Sequence, residues 1–203
     1  MLATDVVSED TVLAEDRLRG HQYRLLARFL AAPPDAALLG LAAGFAGDYT
    51  DLGRALAGLA GRAGQVTPES VAREYTDLFI GIGRGELIPY ASYYLTGFLN
   101  EKPLAKLRGD MARLGIARAE TVKEPEDHIA ALCEMMAGLI TGAFGTPLDL
   151  AAQRAFFDRH LAPWAPLFFE DLEKARSAWL YAPVGTLGRV FMGIEKTAFM
   201  MAT

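Results

Sequence analysis

Apolar residues recur at helical spacing along almost the whole chain. After a polar lead-in over residues 1–12, the pattern from Leu13 puts Leu18, Leu25, Leu26, Phe29 and Leu30 largely on one face. Arg17, Arg19, Arg24 and Arg28 surround that face. Pro33-Pro34 stops this helix. Residues 35–64 form a small-residue region with apolar positions from Leu38 to Leu59, and its glycines and alanines let helices approach closely. Thr67-Pro68-Glu69 is a good helix start, and Val71, Tyr75, Leu78 and Phe79 follow as one stripe. Gly81, Gly83 and Gly85 break the pattern, and Ser92 is placed to cap the next helix. Lys102-Pro103 opens another helix, with Leu104, Leu107, Met111 and Leu114 on its face and Gly115 as its stop. The clearest helix is expected to begin at Glu124-Pro125 and to close at Pro147, carrying Ile129, Leu132, Cys133, Met136, Leu139 and Ile140. Three more are expected over 150–161, 166–181 and 184–201. No alternating strand run, repeat or linker appears, so residues 13–203 read as a single all-α globular domain, a multi-helix bundle.

Composition sharpens this reading. Ala and Leu number 34 and 28 against 15 for Val and Ile together, so helix formers dominate the apolar set. About half the residues are apolar, enough for a core without covalent staples. The net charge of −5 argues against a general nucleic-acid binder. A single cysteine, Cys133, leaves no disulfide framework and no cysteine-rich metal site, and fits a reducing, cytoplasmic home. The N-terminus is acidic, without the basic-then-apolar order of a signal peptide. The longest uncharged apolar stretch, Met135 to Leu148, is too short for a membrane span and contains three glycines and a proline. A soluble protein is expected.

Candidate chemistry is sparse. The histidines are His21, His128 and His160, without HExxH or CxxC spacing, so no metal and no cofactor is expected. There is no G-x-S-x-G elbow, and Cys133 lies on an apolar face where an inert buried thiol is the norm. The glycines from Gly81 to Gly85 match neither phosphate-loop pattern. Two features stand out. Glu124-Pro125-Glu126-Asp127-His128 puts three acids in or beside an expected first turn, where they would complement the exposed N–H groups. The same turn is a compact acidic site with a titratable imidazole, able to take an arginine side chain. Tyr75, Phe79, Tyr90, Tyr93, Tyr94 and Phe98 crowd into 24 residues, mostly as core, with Pro89-Tyr90 at the rim of an apolar peptide groove. Trp164 and Trp179 read as packing residues.

Three blocks in order carry a family resemblance: Glu74-Tyr75-Thr-Asp-Leu78-Phe79 with Pro89-Tyr90-Ala-Ser92-Tyr-Tyr94; Glu124-Pro125-Glu-Asp127-His128; and Phe157-Asp-Arg-His160-Leu161-Ala-Pro163-Trp164. Together they cover about residues 18 to 200, and the chain resembles the TorD/DmsD/NarJ family of redox-enzyme maturation chaperones. The TorD/DmsD branch is nearer, because the E-P-x-D-H block is complete.

The resemblance implies a TorD-like all-α fold of about ten or more helices and no catalysis. It implies a cytoplasmic chaperone that binds the apo catalytic subunit of a molybdenum or tungsten oxidoreductase and its twin-arginine signal peptide. Export is then delayed until the cofactor is inserted and the enzyme folded. Carried over, the peptide-binding residues are Tyr75, Phe79, Pro89, Tyr90, Tyr94, Glu124, Pro125, Asp127 and His128. On this reading Asp127 and Glu124 meet the guanidinium groups, Tyr90, Tyr94 and Phe79 line or support an apolar groove, and Asp127→Ala or His128→Ala weakens binding with little change in melting. A monomer is the default, with domain-swapped dimers open within the family. Two other readings stand beside it: an enzyme using Asp127-His128 as acid and base on a nucleotide or small molecule, and a permanent subunit of a membrane oxidoreductase.

Overall fold

The computed structural model describes residues 13–119 and 122–201. The expected lead-in, residues 1–12, lies outside the described residues. Ten α-helices follow in chain order: α1 Ala14–Ala31, α2 Ala36–Ala43, α3 Asp51–Ala63, α4 Pro68–Tyr75, α5 Ala91–Thr96, α6 Lys102–Arg113, α7 Ile129–Thr141, α8 Leu150–His160, α9 Ala165–Lys174 and α10 Tyr181–Met201. One π turn, Thr76–Ile80, continues α4. Among the described residues no strand forms; the single extended pairing is an isolated bridge between Tyr90 and His128.

The caps explain many of the boundaries. Asp35, Thr50 and Asp149 each accept a backbone N–H from the first turn of α2, α3 and α8. Thr67 and Ser70 form a reciprocal capping box at the start of α4. Gly115 takes a left-handed φ of 69° just beyond α6, as expected.

The core is built around α7. Its sequence carries one charged residue, Glu134, and ten of its thirteen residues are buried. A helix apolar on nearly every side has to be enclosed. It packs along α1, where Tyr23, Leu26, Phe29 and Leu30 are fully or almost fully buried, and against α8. The last helix, α10, packs on α9 and α3 and also touches α1. Gly185 and Gly188 make the α9 contact possible: a Cβ at Gly188 would overlap the Phe169 ring, and one at Gly185 the backbone of Glu173.

Several boundaries differ from the pattern. α7 begins at Ile129 rather than Glu124, because residues 127–129 pair with residues 89–91 instead of winding. It ends at Thr141, where Gly142 adopts φ 79°, well before Pro147. The last two helices are 165–174 and 181–201, because two distant glutamates hold residues 176–180 outside any helix body and set where α10 begins. Glu86 accepts N–H from Arg176 and Ser177 at 2.7 and 3.0 Å. Glu74 accepts N–H from Trp179, Leu180 and Tyr181 at 2.7, 3.1 and 2.8 Å. Ser92 does not cap α5, which starts at Ala91 with no cap from its own N-cap residue, Tyr90. Trp164 is buried as expected, but Trp179 is half-exposed beneath the Arg62 guanidinium, 4.9 Å from its ring centre.

Candidate functional site

Two of the sequence blocks meet in space. Ala91 N–H donates to Asp127 O (3.0 Å) and Ile129 N–H to Pro89 O (2.9 Å), so Pro89-Tyr90-Ala91 runs antiparallel to Asp127-His128-Ile129. The Tyr90 and His128 rings sit edge to face, 5.0 Å apart. His128 N–H closes a turn onto Pro125 O at 3.2 Å. The E-P-x-D-H block is therefore a turn followed by a bridge, and the first turn of α7 contains no acid. The expected role of these acids against the helix dipole is overturned by that pairing.

The block's side chains divide sharply. Asp127 is 1% exposed; its Oδ2 accepts from the Ser92 N–H (2.8 Å) and hydroxyl (2.5 Å), while Oδ1 has no partner among the described residues. Glu126, also buried, accepts from Arg108 Nε and Nη2 at 3.0 and 2.8 Å, tying the turn to α6. His128 is the N-cap of α7, its Nδ1 accepting from Ala130 N–H at 3.2 Å. Burial pushes the imidazole down to about 4, against the raising pull of Glu124 and Asp127. Glu124 is exposed, accepts a hydrogen bond from the Tyr90 hydroxyl and has no ion pair among the described residues. Burial and that hydrogen bond push the Tyr90 phenol up.

The aromatic residues separate likewise. Tyr75 is buried, donates to Leu30 O at 3.2 Å and is pushed up to about 12 by burial, with the charge of Glu124 adding to it. The Phe79 ring stands edge-on to Tyr75 and Tyr181 at 4.9 and 5.4 Å. Tyr94 packs on Trp164 and Phe168, and its hydroxyl donates to Asp171 at 2.9 Å. Pro89 is buried and Pro125 partly so. The structure thus brings together Tyr75, Pro89, Tyr90, Glu124, Pro125, Asp127 and His128. Phe79 joins them through Tyr75, and Tyr94 belongs to a different packing cluster.

Beside Glu124 lies a groove of about 200 Å³ that the sequence reading missed. Ile116, Met135 and Phe144 line it with Val122, and its charged residues are Glu124, Glu126 and Glu134 together with Arg118, which pairs with Glu126 at 3.8 Å and leaves Glu124 and Glu134 as the acids without an ion pair among the described residues. Glu134 is exposed. Phe144 reaches the groove because Gly138 leaves room for its ring. The available signal was Glu134-Met135 on an otherwise apolar helix: one charge surviving there implies an opening to solvent.

Other chemistry finds no support in the geometry. Cys133 is fully buried and its thiol is pushed up by burial. No group of three metal-ligating side chains occurs among the described residues, and no helix there is long and apolar enough to cross a membrane.

The helical architecture matches a crystal structure from Archaeoglobus fulgidus, described provisionally as a redox enzyme maturation protein. The TM-score is 0.56 and the identity 25%, covering 88% of this chain and 94% of that one. The fold is therefore that of the all-helical redox-enzyme maturation proteins. The sequence model of the family described as nitrate reductase delta subunit matches residues 38–170, and the chain belongs to that family, which includes the NarJ and TorD proteins. Proteins named chaperone protein TorD are also similar to this chain. One from Vibrio cholerae O395 is 32% identical over 133 residues, and one from Vibrio atlanticus is 29% identical over the same length. These matches cover 62% of this chain, and the chain spans about 60% of the length of the curated relatives it matches.

Proposed function

We propose that this protein is a cytoplasmic redox-enzyme maturation chaperone that holds the basic signal peptide of an apo molybdenum or tungsten oxidoreductase subunit. The observation carrying this reading is the acid-rimmed apolar groove beside the E-P-x-D-H turn. A twin-arginine signal peptide offers guanidinium groups followed by an apolar stretch. Glu124 and Glu134 are carboxylates free to take the first in charge-assisted hydrogen bonds, and Ile116, Met135 and Phe144 offer an apolar lining for the second. Tyr90 orients Glu124 through its hydroxyl. Asp127 and His128 act indirectly, fixing the turn from which Glu124 projects. The relatives' names support a chaperone over an acid–base enzyme. In keeping with this, Asp127 and His128 are both buried and make their hydrogen bonds elsewhere.

The test is calorimetric titration with a twin-arginine signal peptide from a neighbouring molybdoenzyme and its twin-lysine counterpart. Saturable binding that weakens with lysine, and weakens about tenfold in Glu124→Gln/Glu134→Gln, is expected. Equal binding by wild type and the double variant would remove the groove from the reading.

A further inference from the structure

A second groove, of opposite charge, lies between α1, α2 and α3. Its volume is about 410 Å³. Leu25, Leu41, Phe45 and Leu56 line it, and His21, Arg24 and Arg28 border it along α1. Three observations set it apart from ordinary surface. First, α2 has the sequence AALLGLAA, with no polar side chain, yet Ala36, Ala37, Gly40, Leu41 and Ala43 face solvent. A helix apolar all round is ordinarily enclosed. Second, Leu41, which lines the groove, is 51% exposed, and Leu18, on α1 N-terminal to the lining residues, is 66% exposed although the sequence pattern puts it on the buried face. Third, among the described residues neither Arg24, Arg28 nor His21 has an ion pair; Arg24 donates one hydrogen bond, to Thr141 Oγ1 at 2.8 Å. Gln22, also lining the groove, has a buried side-chain oxygen without a partner among the described residues.

We propose that this groove docks an amphipathic helix of a protein partner, apolar along one stripe and acidic along its flank. Positions 24 and 28 lie one turn apart on one helix face, so the two guanidinium groups form a short cationic row that an acidic row can meet, with the His21 imidazole beside them. From His21 to Arg28, the stretch lining the groove, α1 advances about 10 Å, room for roughly two turns of a docked helix. Gly40 has nothing within 4 Å of where a Cβ would stand, so a partner backbone can come close to α2. A second copy of this chain fits poorly, because a two-fold arrangement would set the cationic rows against each other. This surface is independent of the acid-rimmed groove, and its sign of charge is the reverse.

The experiment uses the full chain and two labelled 18-residue synthetic helices. They share leucines at i, i+4, i+7 and i+11 and differ only in glutamate or lysine on the flank. Fluorescence anisotropy is expected to show saturable binding of the glutamate helix and at least tenfold weaker binding of the lysine helix. Arg28→Glu/Leu41→Glu, at two exposed positions, is expected to weaken the glutamate helix at least tenfold. Its melting temperature and its affinity for the twin-arginine peptide should stay unchanged. No saturation by the glutamate helix up to about 1 mM, a weak limit for specific recognition, would overturn the proposal. So would equal binding of both helices, indifference to the double variant, or sedimentation showing a wild-type dimer that the variant dissociates.

Discussion

Ser92 donates both its backbone N–H and its hydroxyl to one oxygen of Asp127, 35 residues away, at 2.8 and 2.5 Å. This pair joins the start of α5 to the turn before α7 and gives Asp127 a structural task. Asp127→Ala would leave two buried donors unpaired, and hydrogen bonds to a charged group contribute about 1.5–3 kcal/mol each. A loss of about 2–3 kcal/mol is expected, lowering Tm by about 4–12 °C at this chain length. That is the reverse of the near-unchanged melting the sequence suggested. Glu124→Gln, at the exposed carboxylate, is expected to leave Tm almost unaltered while weakening the signal peptide. Thermal denaturation of the two variants side by side makes the comparison.

His128 gives a pH dependence with a definite sign. Its folded pKa, about 4, lies below the ordinary histidine value because of burial, so the folded state favours the neutral ring. The stabilisation is complete above about pH 6.5 and is lost as pH falls toward 4. Protonation of Nδ1 would also break the cap on Ala130. His128→Asn keeps a capping acceptor without the titration. Between pH 7 and 4.5 the wild type is expected to lose about 2–3 kcal/mol more than this variant, measured by urea denaturation. Parallel pH profiles would assign the lost stability to other groups.

Glu74 acts as a helix cap from another helix. Its carboxylate accepts three backbone N–H groups at the entry to α10, more than 100 residues further along the chain. Glu74→Ala is expected to cost about 2–4 kcal/mol, since three donors at a helix start lose a charged acceptor. Glu74→Gln should recover part of that. Hydrogen exchange at Trp179, Leu180 and Tyr181 is the local readout, with protection falling first at those amides.

Partly buried Arg19 and fully buried Glu195 pair between α1 and α10. Arg19 Nε and Nη2 reach Oε1 and Oε2 of Glu195 at 2.8 and 2.9 Å, and the Tyr23 hydroxyl donates to Oε2 at 3.0 Å. Removing one partner strands a buried charge, so Arg19→Ala is expected to destabilise by about 3–5 kcal/mol. Arg19→Lys should not restore full stability, because an ammonium lacks the fork that spans both oxygens. Equilibrium denaturation of both variants, together with Glu195→Gln, measures the coupling.

The helices were legible wherever their causes are local. Leu13 to Pro34, Thr67 to Tyr75 and Lys102 to Gly115 contain their own periodicity, with a capping box at Thr67 and stops at Pro33-Pro34 and Gly115, all acting within about four residues. The all-α architecture follows from those patterns, and the family resemblance rests on residue blocks readable in order. Residues 124–128 show where such reading stops. Proline followed by acids signals a helix start, but the Pro89–Ala91 segment offers backbone partners that compete for residues 127–129, and the helix begins later. Glu74 looks from its neighbours like any exposed helix acid; only the arrival of residues 179–181 makes it a cap. The two grooves depend on which helix faces remain uncovered after α1, α7 and α10 are buried. Periodicity tells which residues need an apolar neighbour, because a side chain meets its own helix three and four positions away. Which distant segment supplies that neighbour, and which faces are left to solvent, is settled by packing between elements far apart in the chain.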